Sequence, residues 1–125
     1  ERAQLAPAPL ARTTTSGTEK AVQAALSKLG RPYVWGATGP NSFDCSGLVQ
    51  WAFKQAGISL PRTTKTIIGR GKAVSRNAMQ RGDLIWTSSG HMGIYVGDNK
   101  MVHAPQPGDV VKVQTVWAFY AARRL

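Results

Sequence analysis

Acidic residues are scarce in this chain. Six Asp and Glu stand against sixteen Lys and Arg, for a formal net charge of +10. That imbalance favours negatively charged surroundings: nucleic acid, anionic lipid or an anionic polymer. The basic residues do not gather on a helix with interleaved aromatics. Arg62, Lys65, Arg70, Lys72, Arg76 and Arg81 are spread through a loop-rich stretch, and Arg123 and Arg124 lie at the end. With no nucleic-acid motif present, nucleic acid ranks below a polyanionic polymer. Long apolar runs are missing too: none approaches the ~20 residues that a membrane span needs. Cysteine is reduced to one, Cys45, which excludes an intrachain disulfide and a zinc site of the CxxC…CxxC kind.

What is there suits one domain: 125 residues, 42% of them hydrophobic, enough for a single core. Residues 1–17, "ERAQLAPAPLARTTTSG", are rich in Ala, Pro, Thr and Arg and read as a linker or pro-segment. They lack the basic start and apolar stretch of a signal peptide. The chain does not open with Met and reads as a fragment or processed form, so secretion stays open. Residues 18–125 are read as the folded domain.

"TEKAVQAALSKLG" has helical spacing, with Ala21, Val22, Ala25, Leu26 and Leu29 on one face. Ser16 or Thr18 suits its cap and Gly30 its end. A second helix is expected from Cys45 to about Gln55, with Leu48, Val49, Ala52, Phe53 and Ala56 on one face and Gly57 as its stop. Residues 58–82 read as a long connection with a short helix near Thr63–Gly69. The period then changes to two. Strands are expected at Asp83–Thr87, His91–Val96, Lys100–Ala104, Val110–Val113 and Ala118–Arg123. Helices first and strands after point to α+β with an antiparallel sheet.

Two histidines, His91 and His103, fall on consecutive strands around "VGDNK". A three-residue loop at Gly97-Asp98-Asn99 sets Val96 against Lys100 and Gly93 against His103, and leaves both histidines on one face. Met92, Ile94, Val96, Val102 and Ala104 then form an apolar opposite face. The histidines become diagonal neighbours, roughly 7–8 Å apart at the backbone, with no side chain at Gly93 between them.

A lone cysteine is more often packing than nucleophile, and a single strand histidine is usually structural. Together they make chemical sense. A helix N-terminus and an adjacent imidazolium favour the thiolate, and a third polar group holds the imidazole in one orientation. His103 suits that third role. Asp44 works the other way by raising the thiol pKa, so it is expected to be engaged by a backbone amide, by Arg62 or by substrate.

"GRPYVWGATGPNSFDCSG", "LPRTT", "GDLIW", "HMGIYVG" and "MVHAP", in this order over about residues 18–122, resemble the NlpC/P60 family of cell-wall cysteine peptidases. The likeness is strongest to mycobacterial peptidoglycan endopeptidases. The resemblance implies a compact papain-like α+β fold, with N-terminal helices packed on an antiparallel sheet of about five to six strands. It implies hydrolysis of peptidoglycan stem peptides, typically between D-glutamate (or D-isoglutamine) and meso-diaminopimelate. Carried over by position, Cys45 would be the nucleophile, His91 the base and His103 the polar third member. Tyr33 would sit beside nucleophile and substrate, and Asp44, Ser46 and Arg62 would line the cleft. No cofactor or metal is implied. A monomer, secreted or associated with an anionic cell wall, is expected, and the +10 charge agrees with that setting. Two departures touch the substrate side: "RGD" (Arg81-Gly82-Asp83) in place of the frequent "PGD", and "RTTKTI" (Arg62 to Ile67) in place of "RTS" followed by glutamine.

Other classes remain. Cys45, His91 and His103 could form a three-ligand zinc site with an open position. A module that holds wall peptides without cleaving them is another reading, although Cys45 is retained. The circularly permuted acyltransferases of related fold usually place histidine before cysteine, the reverse of the order here.

Overall fold

A computed structural model describes residues 16–125; the expected linker therefore falls, for residues 1–15, outside the described residues. Helix α1 (Gly17–Leu26) is capped by Ser16, whose hydroxyl accepts from the Glu19 amide. This satisfies one of the first-turn N–H groups that a helix leaves unpaired. Ala21, Val22 and Ala25 are buried as the spacing demands. The helix ends sooner than expected, so Leu29 lies beyond it in the following turn and is exposed. Helix α2 (Cys45–Gln55) is capped by Asp44 and buries Leu48, Val49, Ala52 and Phe53. The short helix α3 spans Thr64–Ile67 and carries a capping box between Thr63 and Thr66.

Six strands follow: β1 (Lys72–Ala73), β2 (Leu84–Ser88), β3 (His91–Gly97), β4 (Lys100–His103), β5 (Lys112–Thr115) and β6 (Ala121–Arg124). They form one antiparallel sheet in the order β1-β6-β2-β3-β4-β5. The helices cover one face, where Leu84, Trp86, Met92, Ile94, Val102 and Ala104 meet the buried side of α1 and α2. On the other face a smaller cluster holds Ile85, Met101 and Val116. Strand β2 is thus apolar on both sides, as a central strand covered on both faces should be.

The β3–β4 register agrees with the apolar alternation: Ile94 faces Val102 and Tyr95 faces Met101. The tip differs. Gly97, not Val96, faces Lys100, and a bulge absorbs the odd residue. The turn itself is Asp98-Asn99, with φ of 54° and 59°. Two successive left-handed residues match the twist of a hairpin, and the bulge lets a two-residue turn coexist with both histidines on one face.

Two strand positions also shift. Strand β5 starts at Lys112 because Asp109 and Val111 are taken up elsewhere: the Asp109 carbonyl accepts from the Tyr33 amide, and Val111 exchanges hydrogen bonds with Gly30 and Arg31. Strand β6 begins only at Ala121, where it meets Trp86. Strand β1, unexpected from the sequence, is two residues paired with the end of β6.

Asp83, 2% exposed, explains part of the "RGD" block. It accepts from the Gln80 amide at 2.7 Å and from Arg124 Nε and Nη2 at 2.9 and 2.7 Å. Arg81 points the other way, donating to Glu19 of α1 at 2.9 Å and to the Val96 carbonyl at 3.1 Å. The arginine in place of proline therefore ties helix to sheet.

Candidate active site

Cys45 occupies the first position of α2. Its sulfur lies against the first residues of β3, with Sγ 3.9 Å from the Gly90 carbonyl, the residue before His91. Asp44, buried beside it, is fully engaged. One oxygen accepts from the Gly47 amide at 2.6 Å; the other accepts from the Gly36 amide at 3.1 Å and from Arg62 Nη2 at 2.7 Å. Arg62 Nη1 donates to Ser46 Oγ at 2.8 Å, and that hydroxyl donates to Asp44 at 3.4 Å. Helix start, Gly36 loop and Arg62 segment are thereby locked around the thiol. Gly47 has no room for a side chain: a Cβ would collide with the Ala37 carbonyl and approach Asp44 Oδ1 to 2.7 Å.

The loop that carries Tyr33 is stitched to its neighbours by bridges from Tyr33 and Thr38 to Phe43 and from Pro32 to Val110. The Tyr33 phenol has its pKa pushed up by burial first, then by negative charge at Cys45 and Asp44. Tyr33, Asp44, Ser46 and Arg62, spread over thirty residues of chain, thus share one neighbourhood with Cys45.

On the strand side, His91 Nε2 and His103 Nδ1 lie 2.8 Å apart, with ring planes inclined at 70°. His103 is buried, and its Nε2 lies 2.9 Å from Gln114 Oε1. Trp117, 53% exposed, covers both rings, stacked on His91 at 6.0 Å and tilted over His103 at 5.3 Å. A hollow of about 250 Å³ opens here between the histidines, Gln106, the ion-paired Asp109 and Lys112, and Trp117. A larger one of about 450 Å³ lies elsewhere, between Trp51 and Lys54 of α2 and the Ile58–Leu60 segment. It includes none of the residues that surround the thiol. Gln114 and Trp117 escaped the sequence reading. Placing β5 at Lys112–Thr115 would have found Gln114, since it shares a face with Lys112, the partner of His103.

Protonation departs from the expected thiolate–imidazolium pair. Burial and then Asp44 push the Cys45 pKa up, against the amides of Ser46, Met92 and Cys45 itself, which favour the thiolate. Burial and then His103 lower His91 to about 4. Burial also lowers His103, although Gln114 opposes it. Desolvation works against the helix terminus, so burial favours a neutral thiol beside neutral imidazoles. The zinc reading fares poorly: the histidines turn their nitrogens to each other, and among the described residues no three His, Cys, Asp or Glu side chains converge as metal ligands.

A helix-start cysteine held against a strand that opens with one of two hydrogen-bonded histidines, on an antiparallel sheet backed by helices, defines an α+β domain of papain-like design. The NlpC/P60 family profile matches residues 30–125, and the chain belongs to that family. It is 44% identical over 108 residues to a protein named probable endopeptidase from Mycobacterium tuberculosis, covering 82% of this chain and 28% of that one. It is 43% identical over 98 residues to the bifunctional muramidase/DL-endopeptidase CwlT of Bacillus subtilis, covering 72% of this chain and 30% of that one. The chain thus spans about a third or less of these two relatives. Among solved structures, RipD of M. tuberculosis superposes with a TM-score of 0.78 at 27% identity, covering 90% of this chain and 99% of that one. RipD is described as a non-catalytic NlpC/P60 domain protein adapted to peptidoglycan binding.

Proposed function

We propose that this domain is a peptidoglycan endopeptidase that hydrolyses stem peptides by a thiol mechanism, between D-glutamate (or D-isoglutamine) and meso-diaminopimelate. The observation that carries the reading is the hydrogen-bonded His91–His103 pair beginning one residue from the carbonyl that Cys45 Sγ touches. With Nε2 of His91 committed to His103, Nδ1 is the nitrogen left for the thiol. It takes the thiol proton as sulfur attacks the scissile carbonyl carbon. The oxyanion then forms next to the first-turn amides of α2, whose N–H groups already favour negative charge at the sulfur. Collapse breaks the C–N bond, and His91 gives its proton to the leaving amine. Water, deprotonated by the same imidazole, releases the acid from the thioester and restores the thiol. A neutral resting pair suits this order, because His91 acts as a base only when it carries no proton.

Tyr33, Asp44, Ser46 and Arg62 line the substrate side, with Asp44 holding Ser46 and Arg62 in place. The names of the M. tuberculosis and B. subtilis relatives support an endopeptidase. The domain is taken to run from Ser16, the cap of α1, to about Leu125, with the residues before it as linker. It is read as a secreted or wall-associated monomer, held by its positive charge to anionic polymer and needing no cofactor. Among the described residues no helix is long and apolar enough to cross a membrane.

The second reading, a non-catalytic wall-binding module, has the RipD likeness in its favour. One experiment separates the two. Defined muropeptides are digested with wild type and Cys45→Ala, and the products are weighed by mass spectrometry. New termini at the D-glutamyl bond with wild type alone support the endopeptidase. Binding without products from wild type would establish the module, and cleavage at another bond would correct the specificity.

A further inference from the structure

We propose that Gln114 sets the tautomer of both histidines: its carbonyl end accepts from His103 Nε2, which leaves the free lone pair of His91 on Nδ1. The effect on catalysis rests on the reading of His91 as the base; the tautomer itself does not. A neutral imidazole has one N–H and one lone pair. In a chain of two neutral rings, the direction of the first hydrogen bond therefore dictates every later one. The chain here is continuous: Gln114 Oε1 to His103 Nε2 at 2.9 Å, then His103 Nδ1 to His91 Nε2 at 2.8 Å. With the carbonyl facing inward, His103 carries its proton on Nε2, accepts at Nδ1, and receives the Nε2–H of His91. Were the amide NH₂ to face inward, each bond would reverse and His91 Nδ1 would hold a proton it could not exchange for that of the thiol.

Both rings are depressed by burial, so the neutral forms that obey this logic prevail near neutral pH. The sheet fixes the placement. His103 pairs with Lys112, and Gln114 follows two residues on, on the same face of β5. Trp117 lies over both rings, and Gln114 lines the hollow beside them. Gln114 does not touch the reacting atoms and is a positioning residue that acts through His103.

The test uses three substitutions at this exposed strand position, each checked for an unchanged melting temperature. Gln114→Glu can only accept, Gln114→Lys can only donate, and Gln114→Met does neither. Ring ¹⁵N shifts of the labelled, folded protein report the tautomer, and kcat and KM on a soluble muropeptide report its consequence. We expect His91 to carry its proton on Nε2 in wild type and Gln114→Glu, and on Nδ1 in Gln114→Lys. A misplaced base proton should lower kcat about 100-fold or more in Gln114→Lys with KM little changed, since general-base catalysis is worth roughly 10²–10⁴. Gln114→Met should lose about 3- to 10-fold, the scale of one hydrogen bond, and Gln114→Glu should recover most of that. A merely structural side chain would rank the variants by shape, with Met near wild type and no tautomer change. An unchanged His91 tautomer in Gln114→Lys overturns the proposal. A reversed tautomer with undiminished kcat upholds the role of Gln114 and removes His91 as the base.

Discussion

Gly93→Ala should damage the site without touching any polar group in it. Gly93 lies on β3 between the two histidines, and a Cβ there would stand 2.5 Å from Met101 Cε, 2.6 Å from the Val102 carbonyl oxygen and 2.9 Å from His103 Cβ. Methionine can swing away. The Val102 oxygen belongs to the β4 backbone, and the His103 ring is held at both nitrogens, at 2.8 and 2.9 Å. Relief must come from moving strand or ring. Overpacking of this kind costs about 1–3 kcal/mol, which corresponds to a melting-temperature drop of about 4–12 °C for a domain of this size. Displacing His103 by even a few tenths of an ångström lengthens its bond to His91, so kcat should fall more than stability alone explains. Gly90→Ala is the stability control: nothing lies within 4 Å of its Cβ, and the change should stay within about 0.5 kcal/mol. Thermal melts followed by circular dichroism and turnover of a soluble muropeptide measure both effects. A Gly93→Ala protein that melts like wild type and keeps its kcat would refute the claim that this glycine is required for the histidine contact.

Cys45→Ala should leave a folded protein with no hydrolysis above background, and His91→Ala should be about as severe, because residues that act as one unit are not additive. His103→Ala should be milder, near 10²-fold, and a loss equal to that of Cys45→Ala would show that its role is more than orientation. On the acid side, kcat/KM should hold down to about pH 4, the value to which burial and His103 lower His91. It should fall below that as the base is protonated; an acid limb near 6.5 would contradict the buried, neutral ring. Stability should follow the same sign. The unfolded chain takes up a His91 proton below about 6.5 and the native state only near 4, so stability declines as pH falls through that window. Retention on purified walls should weaken steeply with salt, because charge attraction is screened over about 8 Å at physiological ionic strength. Cleavage of a small soluble stem peptide should depend on salt far less, and parallel salt curves for sedimentation and turnover would contradict the separation of retention from catalysis.

Much of the fold could be read in the chain because its signals are local. A side chain that caps a helix acts on amides two or three residues away, so the starts at Ser16 and Asp44 are written in the immediate sequence. The body of the β3–β4 register follows from the period-two alternation, since a slip of one residue would turn Met92, Ile94 and Val102 out of the core. Strand ends proved harder. β5 and β6 begin two and three residues later than their alternation alone indicates, because distant partners claim the intervening backbone. The two-residue β1 has no pattern of its own and exists only because the end of β6 offers it hydrogen bonds.

The helix-start cysteine, the shared face of His91 and His103, and the family blocks around them are all legible along the chain, because each rests on spacing within a short stretch. How charges and protons are arranged follows instead from contacts between distant segments. Arg62 and Gly36 satisfy Asp44 from segments on either side of α2. Gln114 reaches His103 only because β5 pairs with β4, and Trp117 closes over both rings from beyond that strand. The same packing works against the expected thiolate–imidazolium pair. A helix terminus and a nearby histidine can be read along the chain, whereas the desolvation that opposes them depends on how many segments close around the group, a property of the folded molecule.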